Sequence, residues 1–476
     1  MPDKTFLLLR KDVLPCRQLR SFRDNIIWQL SEAANTATVV VAPTIRQYQV
    51  DQGTFGVSDL QALRELGTYV AFLPRDGIAR NNAIGVFLMG ALPAVGGSAI
   101  SVILHASVLW AVISLVLGRF KFRMTRSDRM LAWTFTAFAA LVLVTALLGK
   151  NIEQVPRSTL WLVTFLAPWV MISRLRASPD VNYLLFYLTG AAAGALAACA
   201  VAFVQLTFIG TRPEGGAGNP AVFAMISLCL MGLGGLNIAS SADKRVMLGI
   251  AAVFAGGLAV MLSLTRGVAI AAIPILILLA IFAPAKWRSI LSRPAVLVIF
   301  AVAILIFFGA QHVLDQRWQQ TTDELQLILS NDRSGSVGGR LRLWAAALET
   351  IPQSPLWGYG IQNRMAALIP ILRLDNNYIY NFSHAHNGFL SVALDGGVFV
   401  LSAVIAVLLA PIAIAGNARR DMDFRPRLFA TLTISGIYTF CGMTQIMFKH
   451  DILDALFVFF AIVVAASIPE NTIKQM

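Results

Sequence analysis

Residues 388–415 read GFLSVALDGGVFVLSAVIAVLLAPIAIA, and Asp395 is the one charged side chain in that run. A helix needs about 20 mostly apolar residues to cross the hydrocarbon core of a bilayer, so this stretch is long enough to span with some tilt. The whole chain shares its character. Of 476 residues, 57% are hydrophobic and 13% charged, and the mean hydropathy is +0.70. A soluble domain sits nearer half apolar and a quarter charged. The composition therefore excludes a cytosolic enzyme, a disordered chain and a secreted module, and it predicts an all-α polytopic membrane protein.

Working outward from that run, apolar segments recur from residue 84 onward. The reading gives about twelve transmembrane helices, at approximately 84–96, 98–117, 130–148, 159–173, 183–209, 220–238, 246–264, 267–284, 294–311, 388–415, 426–447 and 452–468. Residues 1–83 hold ten Lys/Arg against eight Asp/Glu and no spanning run. The apolar stretch Phe6 to Leu9 is too short for a signal-peptide core. They form an N-terminal cytosolic extension of unknown role. Residues 84–311 then carry helices 1–9, 312–387 a large outer loop with amphipathic helices, 388–468 helices 10–12, and 469–476 a cytosolic tail.

The net charge of +13 would suggest nucleic acid in a soluble protein. Here it reads as topology, and no nucleic-acid partner is expected. With the N-terminus inside, the inner loops carry Arg119, Lys121, Arg123, Arg126 and Arg129, then Arg174 and Arg176, Lys244 and Arg245, Lys286, Arg288 and Arg293, and Arg419, Arg420, Arg425 and Arg427. The short outer loops hold only Lys150, Arg157, Arg212, Arg266 and Lys449. This positive-inside bias places both termini in the cytosol. Cys16, Cys199, Cys229 and Cys441 are scattered and suggest neither a disulfide framework nor a metal site.

The loop 312–387 contains six arginines, six acids and no lysine. Leu341, Trp344, Leu348 and Ile351 recur at helical spacing and predict an amphipathic helix. Long loops on a rigid scaffold tend to carry function. His384 and His386 stand where this loop re-enters the membrane, followed by Asn387. His105, alone in an apolar helix, reads as a packed residue. The outer face offers no DxD motif or carboxylate cluster for a metal-assisted transfer. It offers arginine: Arg212 in the Gly-rich turn 210–219, Arg266 after the seventh span, and Arg340 opening the loop helix. A guanidinium is a rigid, permanently charged fork that fits two phosphate oxygens, so this face suits a diphosphate. Arg333, Arg342, Arg364 and Arg373 lie nearby, and spacing does not choose among them. Trp344, Trp357 and Tyr359 read first as packing residues that seat the loop, and Asp395 as a structural acid.

Four motifs, in order and spacing, carry a resemblance. They are Leu262-Ser263-Leu264-Thr265-Arg266-Gly267, Gly339-Arg340-Leu341-Arg342-Leu343-Trp344, Pro355-Leu356-Trp357-Gly358-Tyr359-Gly360, and His386-Asn387 followed by Gly397. Together they resemble the O-antigen ligase and polymerase superfamily over roughly residues 84–468. Thr265 stands where Ser is common, and Val400 where Gly, Thr or Tyr usually closes the last motif. The resemblance implies a GT-C-like membrane glycosyltransferase of the bacterial inner membrane with a periplasmic active site. It implies transfer of O-antigen from undecaprenyl diphosphate to lipid A-core oligosaccharide in lipopolysaccharide biosynthesis, without cofactor or metal.

Carried over residue by residue, the resemblance implies His386 as the catalytic base and Arg266 and Arg340 as the diphosphate clamp. Arg212 would add a contact, together with backbone amides of the Gly215 to Gly218 turn, and Asn387 and Trp344 would support. A sugar diphosphate already holds a good leaving group, so charge stabilisation and one base suffice, and direct attack inverts the anomeric carbon. An O-antigen polymerase and a protein O-oligosaccharyltransferase remain as relatives of the same pattern. A lipid-linked glycan transporter is the rival from another class; it would place charge along a membrane pathway instead of at one outer loop.

Overall fold

The computed structural model describes residues 6–8, 26–31, 36–41, 46–51, 76–149, 153, 155–239, 243–282, 319, 322–324, 326–327, 329–330, 335–372 and 384–470. The chain divides into two compact units, Met1–Arg80 and Asn81–Met476.

The first unit contains a four-stranded sheet, which hydropathy left unassigned. Strands β1 (Phe6–Leu8), β2 (Ile26–Ser31), β3 (Thr36–Val41) and β4 (Arg46–Asp51) lie in the order β1-β4-β3-β2. β1 runs parallel to β4, with Phe6 opposite Gln47. β2 and β3 pair antiparallel, as do β3 and β4. Runs such as Ile26-Ile27-Trp28 and Val39-Val40-Val41 are rich in the β-branched and aromatic residues that favour strands.

The second unit is all-α among its described residues. The first helix, α1 (Gly77–Ala91), starts four residues before the boundary after Arg80; the helices after it are α2 (Ala99–Val116), α3 (Arg126–Leu148), α4 (Val155–Arg176), α5 (Tyr183–Ile209), α6 (Pro220–Ala239), α7 (Asp243–Leu262), α8 (Arg266–Phe282), α9 (Ser336–Thr350), α10 (Arg364–Leu372), α11 (Gly388–Gly416), α12 (Phe424–Gly442) and α13 (Asp451–Ala466). Among its described residues, seven stretches are long and apolar enough to cross a membrane: α2 to α6, Lys244–Leu262 of α7, and α11. α8 is apolar but shorter, at 17 residues. The ninth predicted span, 294–311, lies outside the described residues.

Polar residues pin the two ends of the bundle. At one end, Arg176 makes a bidentate pair with Asp128 (2.7 and 2.9 Å) and donates to the carbonyls of Ala465 and Ile468. Arg427 donates to the Ser467 carbonyl and to Asp421. These arginines donate to main-chain carbonyls at and just beyond the end of α13, where the supply of helical amides runs out. At the other end, Gln362 donates to Ala146 and Asn363 to Gly149, tying the loop to the end of α3. Along α13, the 16 residues between these ends correspond to roughly 24 Å of helix.

The predicted loop helix forms as α9, but its buried stripe differs from the one expected. Leu343, Ala346, Ala347 and Thr350 face inward, whereas Leu341 and Leu348 are 37% and 62% exposed. The inward face packs on Leu368, Leu372, Ala385 and Leu394. Two adjacent alanines let α9 approach these neighbours closely, so side-chain size, not bulk hydrophobicity, sets the contact face.

α11 is broken at Gly396 and Gly397, the latter at φ +59°. The break releases main-chain groups that the loop takes up. Tyr359 and Gly360 donate to the carbonyls of Leu394 and Asp395, and Val398 donates to that of Pro355, each at 2.8 Å. A Cβ at Gly397 would stand 2.4 Å from the Leu356 carbonyl. The Pro355–Gly360 motif and Gly397 are thus the two halves of one backbone joint.

Candidate active site

The site is assembled from helix starts. Thr265 precedes α8, and Leu264 sits left-handed at φ +58°. Such a backbone costs about 1–3 kcal/mol for a non-glycine residue unless its surroundings hold it. Arg212 supplies that hold: its guanidinium donates to the carbonyls of Ser263 (3.1 Å) and Leu264 (3.4 Å) and to the Thr265 hydroxyl (3.2 Å). Thr265 therefore performs the accepting role a serine hydroxyl could also fill. Arg266 is the first residue of α8, and a Cβ on Gly267 would meet the Thr444 hydroxyl at 2.7 Å.

α9 brings Arg340 in one turn after Ser336. The re-entry loop brings His386, also left-handed at φ +51°. Its rings and those of His384 lie with centroids 4.3 Å apart. Asn387 caps α11 by accepting from the Leu390 amide at 3.0 Å, which satisfies one orphan donor of the helix start. Trp344 donates its indole N–H to the Ala385 carbonyl at 3.0 Å. Asn387 and Trp344 thus hold the loop from its two sides.

Arg212, Arg266, Arg340 and His386 line one cavity of about 360 Å³, together with His384, Asn219, Thr265, Ser336 and Gln445. The four residues come from separate parts of the chain. The starts of α6, α8 and α9 also border this cavity; at α6 the first amides are taken by Asn219, and the three helix starts add a partial positive charge to that of the arginines. The wall is therefore built for an anion. Burial, and then the nearby Arg340 charge, lowers the pKa of His386 below the usual imidazole value. His384 is pushed down to about 3, chiefly by burial and then by His386, Arg364, Arg340 and Lys449. Both rings are neutral near pH 7, as an accepting base requires.

Several expectations are redistributed. The amides of Gly215 and Gly216 are taken by the Gln205 side chain and the Ala94 carbonyl, so they do not supplement Arg212. Arg364 is buried against Asp395 at 2.5 Å, and Arg342 does not line the cavity. Arg333 and Arg373 lie outside the described residues. Tyr359 donates to the Thr350 carbonyl at 2.9 Å, and Trp357 packs on Phe399. His105 hydrogen-bonds Thr164 at 3.1 Å. Among the described residues, no three His, Cys, Asp or Glu side chains are grouped to hold a metal.

One residue escaped the sequence reading. Glu324 receives Arg266 Nη1 on one carboxylate oxygen and the Ser336 hydroxyl on the other, both at 2.9 Å. As one of six acids in a polar loop, it carried no periodic or motif signal.

Comparison with known families bears on this stretch. Residues 251–405 match the O-antigen ligase family. The match supports membership of the O-antigen ligase superfamily and a glycosyl-transferring, ligase- or polymerase-type function in lipopolysaccharide biosynthesis. No curated protein matches the chain. The ligase-family segment contains Arg266, Glu324, Arg340, Trp344, His386 and Asn387, whereas Arg212 precedes it. In general terms the family implies a lipid-linked glycan and lipid A-core as substrates.

Proposed function

We propose that the protein is an O-antigen ligase of the bacterial inner membrane. It transfers O-antigen from undecaprenyl diphosphate to lipid A-core oligosaccharide on the periplasmic face. The observation that carries this reading is the convergence of Arg212, Arg266, Arg340 and His386 on one cavity inside and beside the family match. Twelve spans with both termini cytosolic complete the reading. The inner-loop arginines Arg176 and Arg427 bind the end of α13, and its opposite end borders the cavity through Leu453. That separation supports an active site facing away from the cytosol.

In the reaction, His386 takes the proton from the acceptor hydroxyl as its oxygen attacks the anomeric carbon. The bond to the diphosphate breaks with inversion. Arg266 and Arg340 neutralise the charge that grows on the departing diphosphate, with the helix starts contributing. Arg212 acts mainly by holding the Ser263–Thr265 turn beneath Arg266. Positioned general-base catalysis is worth about 10²- to 10⁴-fold, so His386→Ala is severe.

The decisive assay combines purified protein, undecaprenyl-diphosphate-linked glycan and lipid A-core in detergent. Formation of capped lipid A-core, lost in His386→Ala and Arg266→Ala, supports ligation. Lengthened lipid-linked glycan with no core attachment overturns ligation in favour of a polymerase.

A further inference from the structure

We propose that Glu324 is a positioning residue that fixes the spacing of the two clamp arginines, an inference that rests on the ligase reading above. Its carboxylate bridges Arg266 Nη1 and the Ser336 hydroxyl, each at 2.9 Å. Arg266 opens α8 and Ser336 opens α9. Arg340 follows Ser336 by four residues, which places the two on the same face of α9. One carboxylate therefore ties the helix bearing the first guanidinium to the helix bearing the second.

The placement favours positioning over competition for the ligand. Arg266, Ser336 and Arg340 border the cavity, whereas Glu324 does not. The carboxylate supports Arg266 from outside the space a diphosphate would fill. The Glu324 side chain also lies beside the start of α9, where a Cβ on Gly335 would stand 3.4 Å from it, in ordinary van der Waals contact. An exposed ion pair would hold two long side chains weakly. This one is part-buried, with side-chain exposures of 27% for Arg266 and 18% for Glu324, and it adds a hydroxyl as a third partner. A fixed Arg266 has less freedom to lose when it meets phosphate oxygens, and preorganisation of that kind raises affinity without any new contact.

The test measures binding of undecaprenyl diphosphate to the purified full chain in detergent, alongside the rate of glycan transfer. Glu324→Ala is expected to weaken binding about tenfold, within the range of coupling between directly contacting groups. Glu324→Gln keeps one oxygen to accept from Arg266, while its amide N–H can donate to the Ser336 hydroxyl, and it is expected to recover part of that loss. In an Arg266→Ala background, Glu324→Ala is expected to add nothing, because it acts through Arg266. The melting temperature serves as control, since a merely structural role would lower it in both backgrounds. Tighter binding in both Glu324 variants would identify the carboxylate as a competing anion and overturn the proposal. So would additive losses in the double variant. If Arg266→Ala leaves undecaprenyl diphosphate binding unchanged, the diphosphate reading of the cavity fails instead.

Discussion

Trp344 and Ala385 are joined across 41 residues of sequence by one hydrogen bond, from the indole N–H to the main-chain carbonyl at 3.0 Å. Ala385 is fully buried and stands between the two histidines. The helix that delivers Arg340 thereby also fixes the loop that delivers His386. Replacing Trp344 by Phe leaves a buried carbonyl unpaired, at a cost of about 1–3 kcal/mol. The expected result is a roughly tenfold fall in kcat for glycan transfer, with His386 still present and the protein folded. An unchanged kcat would separate Trp344 from the base.

The pH dependence follows from Arg340. Under the proposed mechanism the neutral form of His386 is the base, so activity is expected to fall as pH drops through its pKa. Burial and Arg340 both hold that pKa below the ordinary imidazole value of 6.5, so the wild-type acid limb lies below pH 6.5. Arg340→Gln removes the second cause, and the acid limb of the surviving activity moves to higher pH. A pH–rate profile measured at saturating donor reads the shift; an unmoved or lowered limb contradicts it.

The same histidines affect stability. Their pKa values are lower folded than unfolded, so the unfolded chain binds more protons on acidification. Stability is full above pH 6.5 and declines as pH falls toward about 3, the value for His384. His384→Gln is expected to flatten this decline in thermal unfolding between pH 6 and 4. A slope equal to wild type would show that His384 is not responsible.

Gly397→Ala tests the joint between the loop and α11. The new methyl would clash with the Leu356 carbonyl at 2.4 Å in a backbone at φ +59°, and strain of this kind costs about 1–3 kcal/mol before the clash. Undocking should expose residues 355–360 to protease while leaving the remaining helices resistant. Wild-type cleavage kinetics would rule the joint out.

Asp128→Ala probes the far end of the bundle. The Arg176–Asp128 pair is nearly dehydrated, with side-chain exposures of 4% and 0%. Removing one partner of such a pair costs about 3–5 kcal/mol because the other charge stays buried. A large drop in melting temperature is expected, with transfer per folded molecule little changed, since no cavity residue is touched. A melting temperature equal to wild type would contradict the buried-pair argument.

What the sequence made legible was whatever repeats or accumulates along the chain. Apolar runs give the helices, and basic residues cluster between them. Arg266, Arg340 and His386 were identified through the resemblance, since their spacing alone does not distinguish Arg340 from Arg342 or Arg364. The structure distinguishes them: Arg364 pairs with Asp395 and Arg340 faces the cavity. Other features depend on contacts between distant residues and leave no local trace. The Gly397 joint is made of main-chain groups separated by about forty residues. Glu324 acts through geometry that any acid in the loop could equally have claimed. Leu341 and Leu348 had the hydrophobic spacing, yet Ala346 and Ala347 took the contact face because they are small.

The docking of Pro355–Gly360 on broken α11 relies on carbonyls, amides and absent methyl groups. Trp357 and Tyr359 add side-chain contacts, to Phe399 and to the Thr350 carbonyl, but the main-chain bonds of the joint do not depend on which side chains the segment carries. Exposed positions such as Leu356 can therefore vary while the joint keeps its geometry, so the segment's surface and its anchoring can evolve on separate groups.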